Sequence, residues 1–346
     1  MRRRDFIALL GGAAGSLPLL ASYGQPDSRS TPALVTPETH AAIDRGLKWL
    51  AERQLPDGAF GTAGSYRKNV GIAGLAGLAF LSSGSTPGRG PYGGAINRVI
   101  DYLQSRAAPS GYIVEEGVGY HGPMYGHGFA TMFLAEAYGT TDRPALRGLL
   151  RRAVDLIIDS QNDQGGWRYT PASNEADISV TACQLMALRG ARNTGISVPK
   201  KTIDRGIEYV TRCQNMDGGF RYRLFEAAES RFPRSAAAVA SLYTSGVHEG
   251  PLLDNGRRYL QQFFPGVAIV RDQENYFYGH YYAIQAAWHA GGRMWEQWYS
   301  GIRAELRSSQ LTDGYWSDPW FGNEYSTAMA LIILQVPNHA LPIFDR

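Results

Sequence analysis

Cysteine is nearly absent from this chain. Cys183 and Cys213 are its two thiols in 346 residues, too few for a disulfide framework or a four-thiolate metal site. Charged residues make up 19% of the chain and nearly cancel, leaving a formal net charge of +3. Arg2, Arg3 and Arg4 with Asp5 supply 3 − 1 = +2 of that, so about +1 remains beyond them. Such a balance excludes nucleic acid as a partner, because phosphate neutralisation needs a surplus of lysine and arginine. Strand signals are missing too: alternating apolar runs bounded by turns do not occur. No apolar run is long enough to span a bilayer.

An uncharged stretch, Ile7 to Leu20, contains Gly11, Gly12 and Gly15 and continues from Arg3-Arg4-Asp-Phe-Ile. That arrangement resembles a bacterial twin-arginine export signal, with Ser22-Tyr-Gly24 as the small-x-small cleavage site. The expected organisation is a signal segment over 1–24, a Ser/Pro/Thr-rich linker over 25–37 and one domain over 38–346. Export places that domain in the periplasm or cell envelope, and an uncleaved segment would hold it at the membrane as a peripheral association.

What the chain does have is a repeat. Gln54-Leu-Pro-Asp-Gly-Ala-Phe60, Gln161-Asn-Asp-Gln-Gly-Gly-Trp167, Gln214-Asn-Met-Asp-Gly-Gly-Phe220 and Gln310-Leu-Thr-Asp-Gly-Tyr-Trp316 follow one pattern, with degenerate copies at Gln104 and Gln262. A period of roughly 50 residues over nearly the whole chain means one repetitive architecture. Before each glutamine, apolar residues recur at helical spacing, as in Ile43, Leu47, Leu50 or Ile203, Ile207, Val210. After each turn comes a segment apolar nearly all round: Val70 to Leu81, Phe129 to Ala137, Ile178 to Leu188, Ala236 to Tyr243, Tyr281 to Trp288 and Tyr325 to Val336. Wet-faced helices alternating with buried ones predict an all-α alpha/alpha toroid of about six helix pairs, the buried set inside. The glycine ends a helix, and the aromatic lies against the glutamine end of that helix, so the motif is structural rather than catalytic.

This repeat resembles that of squalene and oxidosqualene cyclases and of protein prenyltransferase beta subunits. The likeness covers about residues 38–340. More narrowly, Met124-Tyr-Gly-His-Gly-Phe-Ala, Tyr278-Gly-His-Tyr-Tyr-Ala and Leu341-Pro-Ile-Phe resemble segments of bacterial, notably planctomycete, proteins that carry the repeat.

In such a toroid the inner helices start at one end and rim the mouth of a central cavity, where polar side chains converge above an apolar interior. His127, Asp177, His280 and Glu324 are the candidates for acid–base chemistry. Tyr125, Arg231, Arg234, Tyr278 and Tyr282 are the candidates for ligand binding. The resemblance implies two chemistries. Class II cyclases protonate an alkene with the middle aspartate of Asp-x-Asp-Asp, where this chain reads Asp177-Ile-Ser179-Val180. Protein prenyltransferases hold zinc with Asp, Cys and His, implying zinc at Asp177 and His280, but Ser179 stands at the cysteine position. Neither familiar catalytic group is present, and no alpha subunit is implied for an exported chain. The expected function is therefore an exported toroid binding or transforming an isoprenoid or other lipidic small molecule. A carbohydrate-active toroid with Asp177 and Glu324 as paired carboxylates, and a non-catalytic interaction scaffold, are the alternatives.

Overall fold

The computed structural model describes residues 34–62, 64–115, 122–266 and 275–344. The signal segment expected over 1–24 and residues 25–33 of the linker lie outside the described residues. Six outer helices, α1 (Pro37–Glu52), α3 (Gly93–Ser105), α5 (Pro144–Asp159), α7 (Lys200–Arg212), α9 (Pro251–Leu260) and α11 (Gly292–Ser309), alternate with six inner ones. The inner set is α2 (Val70–Ser82), α4 (Pro123–Tyr138), α6 (Ile178–Asn193), α8 (Phe232–Thr244), α10 (Tyr276–Ala290) and α12 (Asn323–Gln335). Beyond four isolated bridges, the described residues contain no strand.

Burial sorts the two sets as their patterns require. Every residue of α2 is buried, whereas α7 buries only Thr202, Ile203, Gly206, Tyr209 and Val210. Each inner helix packs on the next, α2 on α4, then α6, α8, α10 and α12, and α12 returns to α2, which closes an alpha/alpha toroid. Close approach needs small residues: a Cβ on Gly74 would sit 2.8 Å from the Phe129 carbonyl oxygen of α4. Four inner helices begin earlier than their apolar runs suggest, α4 and α8 with Pro123 and Pro233 in the first turn. Those first turns border a cavity and so carry glycine and polar residues instead of the apolar pattern.

The glutamines hold the ring together. Gln54 Nε2 donates to the Gly58 carbonyl of its own turn (3.2 Å) and to Ala95 O of the next outer helix (3.0 Å). Gln161 does the same to Gly165 O and Thr202 O, Gln214 to Gly218 O and Leu252 O, and Gln310 to Gly314 O and Ala42 O. The carbonyls it reaches lie in the early turns of the next outer helix; Gln310 reaches α1 and so ties the last repeat to the first. On its other side the amide oxygen accepts from an arginine three residues further along that helix: Arg98 for Gln54 (2.8 Å), Arg205 for Gln161 (3.3 Å) and Arg45 for Gln310 (2.5 Å). Trp167 Nε1 donates to Ile157 O and Trp316 Nε1 to Leu306 O, stapling the aromatic to the end of its own outer helix. The degenerate copies lack the clamp. Gln104 only accepts from Arg143 at 3.4 Å, and Gln262 is exposed in a 3-10 turn.

The turn glycine is required twice over. Gly165 has φ +93°, and a Cβ there would lie 2.5 Å from the Arg205 carbonyl oxygen. Gly165→Ala is expected to destabilise the fold by about 2–4 kcal/mol, combining left-handed strain with that clash. Gln310→Ala should cost about 1–3 kcal/mol by orphaning two part-buried carbonyls, while Gln104→Ala stays within about 0.5 kcal/mol. Urea unfolding of the three variants checks both; equal effects at Gln310 and Gln104 would contradict the clamp.

Candidate functional site

The N-terminal ends of the inner helices surround a cavity of about 1120 Å³. Its walls take Asn69, Ile72 and Leu75 from α2, Tyr125 and Phe129 from α4, Ser179 from α6, Phe232 and Arg234 from α8, Tyr278 from α10 and Tyr325 from α12. Tyr66, Tyr169, Tyr222 and Phe321 enter from the turns, and Tyr259 and Phe263 from α9 and the segment after it. The floor closes across the ring. Tyr281 of α10 packs on Phe129 of the opposite helix α4 (6.0 Å between ring centroids) and donates to Met132 Sδ (3.7 Å). Phe344 also packs edge-on against Tyr281, at 6.4 Å between ring centroids.

Of the residues selected from sequence, Tyr125, Arg231, Arg234 and Tyr278 line this cavity. Tyr282 does not; it is fully buried one helical turn below Tyr278, its ring 4.8 Å away. The four acid–base candidates are not brought together in the lining. His127 is buried, its Nδ1 accepts from the Ile113 amide (3.1 Å) and its Nε2 donates to Ala153 O of α5 (3.1 Å). Burial lowers its pKa to about 4, keeping it neutral. His280 sits among Phe232, Tyr276 and Trp298, its pKa lowered by burial to about 3. Glu324 is buried and accepts from Thr62 Oγ1 (2.9 Å). Helix geometry explains the misplacement: two residues along a helix turn a side chain by about 200°. Tyr125 and Tyr278 face the axis, so His127 and His280 face the outer ring.

Asp177 follows the same rule, with Ser179 at the cavity wall. Its Oδ1 caps α6 by accepting from the Ser179 and Val180 amides (3.0 and 2.8 Å), and its Oδ2 takes Arg168 Nη1 (2.9 Å). Burial raises its pKa to about 6, against the pull of both amides and the guanidinium. The zinc expected at Asp177 and His280 is thus not supported. One residue is spent on a cap and an ion pair, the other lies in an aromatic box, and among the described residues no three His, Cys, Asp or Glu side chains cluster. Both cysteines are buried and free, and burial raises the Cys213 thiol to about 12.

Sequence reasoning missed Tyr169 and Tyr222. Each stands two residues after a repeat aromatic, Trp167-Arg-Tyr169 and Phe220-Arg-Tyr222, a signal available in the motif itself. Their hydroxyls share a short hydrogen bond, and Arg168 donates to Tyr222 Oη (3.2 Å) while lying 4.3 Å from the Tyr169 ring centroid. Desolvation holds Tyr125, Tyr222, Tyr278 and Tyr325 well above the usual phenol range, so they are neutral hydrogen-bonding groups. Glu229 is the one carboxylate among the described lining residues. It is ionised, lowered by its hydrogen bond to Arg231 and paired with Arg234 as well (3.0 and 3.3 Å).

Because Asp177 has a folded pKa above its unfolded value, the stability linked to it is full below about pH 4. It is lost as pH rises through about 6. Wild-type stability measured against Asp177→Asn should therefore fall by up to about 3 kcal/mol between pH 4 and 7.5. Urea titrations at both pH values read this; a pH-independent difference would mean that Arg168 and the cap keep the carboxylate ionised throughout.

Comparison with known proteins agrees with this geometry at the level of fold. A family model for the squalene-hopene cyclase C-terminal domain matches residues 78–245. No curated protein sequence matches the chain. Among solved structures, the type II terpene cyclase MstE from Scytonema, in complex with geranylgeranyl dihydroxybenzoate, superposes with a TM-score of 0.57 at 15% identity, covering 88% of this chain and 98% of that one. An alpha-1,6-mannanase from Salegentibacter sp., in complex with alpha-1,6-mannotriose, gives 0.66 at 7% identity, over 86% and 98% of the two chains. Cellobiose 2-epimerase from Bacillus thermoamylovorans gives 0.66 at 12%, over 87% and 98%. The closed double ring gives this chain the alpha/alpha toroid fold of terpenoid cyclase-like proteins, and its residues 78–245 are similar to the squalene-hopene cyclase C-terminal domain.

Proposed function

We propose that this protein is an exported binding toroid whose cavity takes an isoprenoid or other lipidic molecule, with its apolar body on the floor and its polar end toward the mouth. The carrying observation is the polarity gradient of the wall. Leu75 and Phe129 lie in the second turns of their helices, deeper than Glu229 and Arg231, which lie ahead of α8, and Arg234 in its first turn. A cavity of this volume accommodates a chain of isoprenoid size. The substrate bound to the Scytonema cyclase, a geranylgeranyl group on a dihydroxybenzoate, has that amphipathic character.

The wall argues for binding and orientation rather than standard cyclisation. Protonating an alkene needs a strong carboxylic acid in the cavity, whereas Ser179 lines it at the relevant position, Asp177 is spent behind it and Glu229 is ionised. Glycan hydrolysis needs two carboxyl groups flanking the bond, and the described lining carries one. The mannanase and epimerase folds keep a sugar ligand as the competing reading, supported by the tyrosine-rich wall.

Native mass spectrometry of protein purified without detergent, followed by solvent extraction, should release an isoprenoid or acyl lipid. Leu75→Arg should lower the bound fraction at least tenfold with an unchanged circular dichroism spectrum. Mannotriose or cello-oligosaccharide binding in its place would overturn the lipid reading. Export is tested separately: Arg3→Lys with Arg4→Lys should abolish appearance of the mature chain in the periplasmic fraction, and unchanged export would refute the twin-arginine signal.

A further inference from the structure

Two phenols that share one hydrogen bond have two protons between them. One lies in the bond joining Tyr169 and Tyr222, so the other must find an acceptor elsewhere. Both tyrosines line the cavity. Arg168 decides which of the two is the outward donor. Its Nη1 donates to Tyr222 Oη (3.2 Å), and a phenol that accepts from a cation becomes the better donor, so Tyr222 donates to Tyr169. The hydroxyl proton of Tyr169 is then left for the cavity.

The arrangement is braced on every side. The same Arg168 nitrogen donates to Asp177 Oδ2 (2.9 Å), and Asp177 is fixed by the two amides that it caps. Tyr169 O accepts from the Met124 amide and Tyr222 O from the Ile178 amide (both 3.0 Å), which pins each tyrosine backbone to the start of an inner helix. The guanidinium stacks against both rings, at 4.3 and 5.4 Å from their centroids. A donor whose supports are locked in this way loses little entropy when it meets an acceptor.

We propose that the Tyr169–Tyr222 pair is a preorganised hydrogen-bond donor that selects ligands bearing an accepting oxygen, a carbonyl or a hydroxyl, with Arg168 as its positioning residue. This rests on the lipidic reading of the cavity and narrows it from any isoprenoid to an oxygenated one. A hydrocarbon of the same length packed over the half-buried Tyr169 hydroxyl would exclude water from it and supply no acceptor, which favours the oxygenated ligand by roughly tenfold.

The test compares farnesal with farnesene, an aldehyde and a hydrocarbon on the same skeleton, titrated calorimetrically from cyclodextrin into the full chain. Wild type should bind farnesal about tenfold tighter. Tyr169→Phe should erase that preference by tightening farnesene toward farnesal, because no hydroxyl is then left without an acceptor, and continued binding of both ligands shows that the cavity is intact. Tyr222→Phe, and Arg168→Lys, which keeps a cation beside Asp177, should reduce the preference while both ligands still bind. Equal affinities in wild type, or a preference that survives Tyr169→Phe, overturns the donor site while the lipid reading stands. An Arg168→Lys preference equal to wild type overturns the positioning role. Failure of both ligands to bind sinks the lipid reading and this inference with it.

Discussion

One side-chain amide, used four times, governs the architecture. A glutamine at the end of an outer helix donates to a carbonyl in its own turn and to another on the next outer helix, which fixes the distance and angle between consecutive repeats. The turn must then approach that next helix so closely that only glycine fits, and the helix must present an arginine or asparagine there. Everything inward follows: with the outer helices spaced, the apolar helices between them have one way to pack, and their N-termini meet around a common axis.

That constraint separates what the repeat carries from what the cavity carries. The clamps lie between outer helices and in the turns, remote from the side chains that face the axis. The wall is therefore free to vary while the ring holds, which is consistent with one fold serving a terpene cyclase, a mannanase and an epimerase. Here the wall is phenols, a few apolar residues and a small charged rim, with the carboxylate Asp177 withdrawn behind Ser179 to cap a helix and balance Arg168.

The ring and its inner and outer helices were legible because glutamine, glycine and aromatic recur at a spacing that only repetition explains. A second period went unread: Arg45, Arg98, Arg152 and Arg205 stand 53 or 54 residues apart, and three of them grip a glutamine oxygen. Arginines on wet helix faces look like ordinary solvated charge. The site was half legible. Polar residues at helix starts point to Tyr125, Arg231, Arg234 and Tyr278 but do not say which face each neighbour takes, so the same pattern puts His127 and His280 at the mouth although they point outward. Tyr169 and Tyr222 are hard to read because the structural aromatic two positions before each already accounts for the motif.

The bond from Gln310 to Ala42 joins residues 268 positions apart in a contact that the other repeats make between neighbours. An open stack of repeats has two exposed ends and can fray from either, so its members unfold with some independence. A closed ring has no end repeat: releasing any one unit breaks two interfaces at once, and the seam is clamped like the junctions at Gln54, Gln161 and Gln214. Cooperativity is thereby built in by topology rather than by the strength of any single contact, and the order in which the chain visits the six units becomes incidental to the shape that they make.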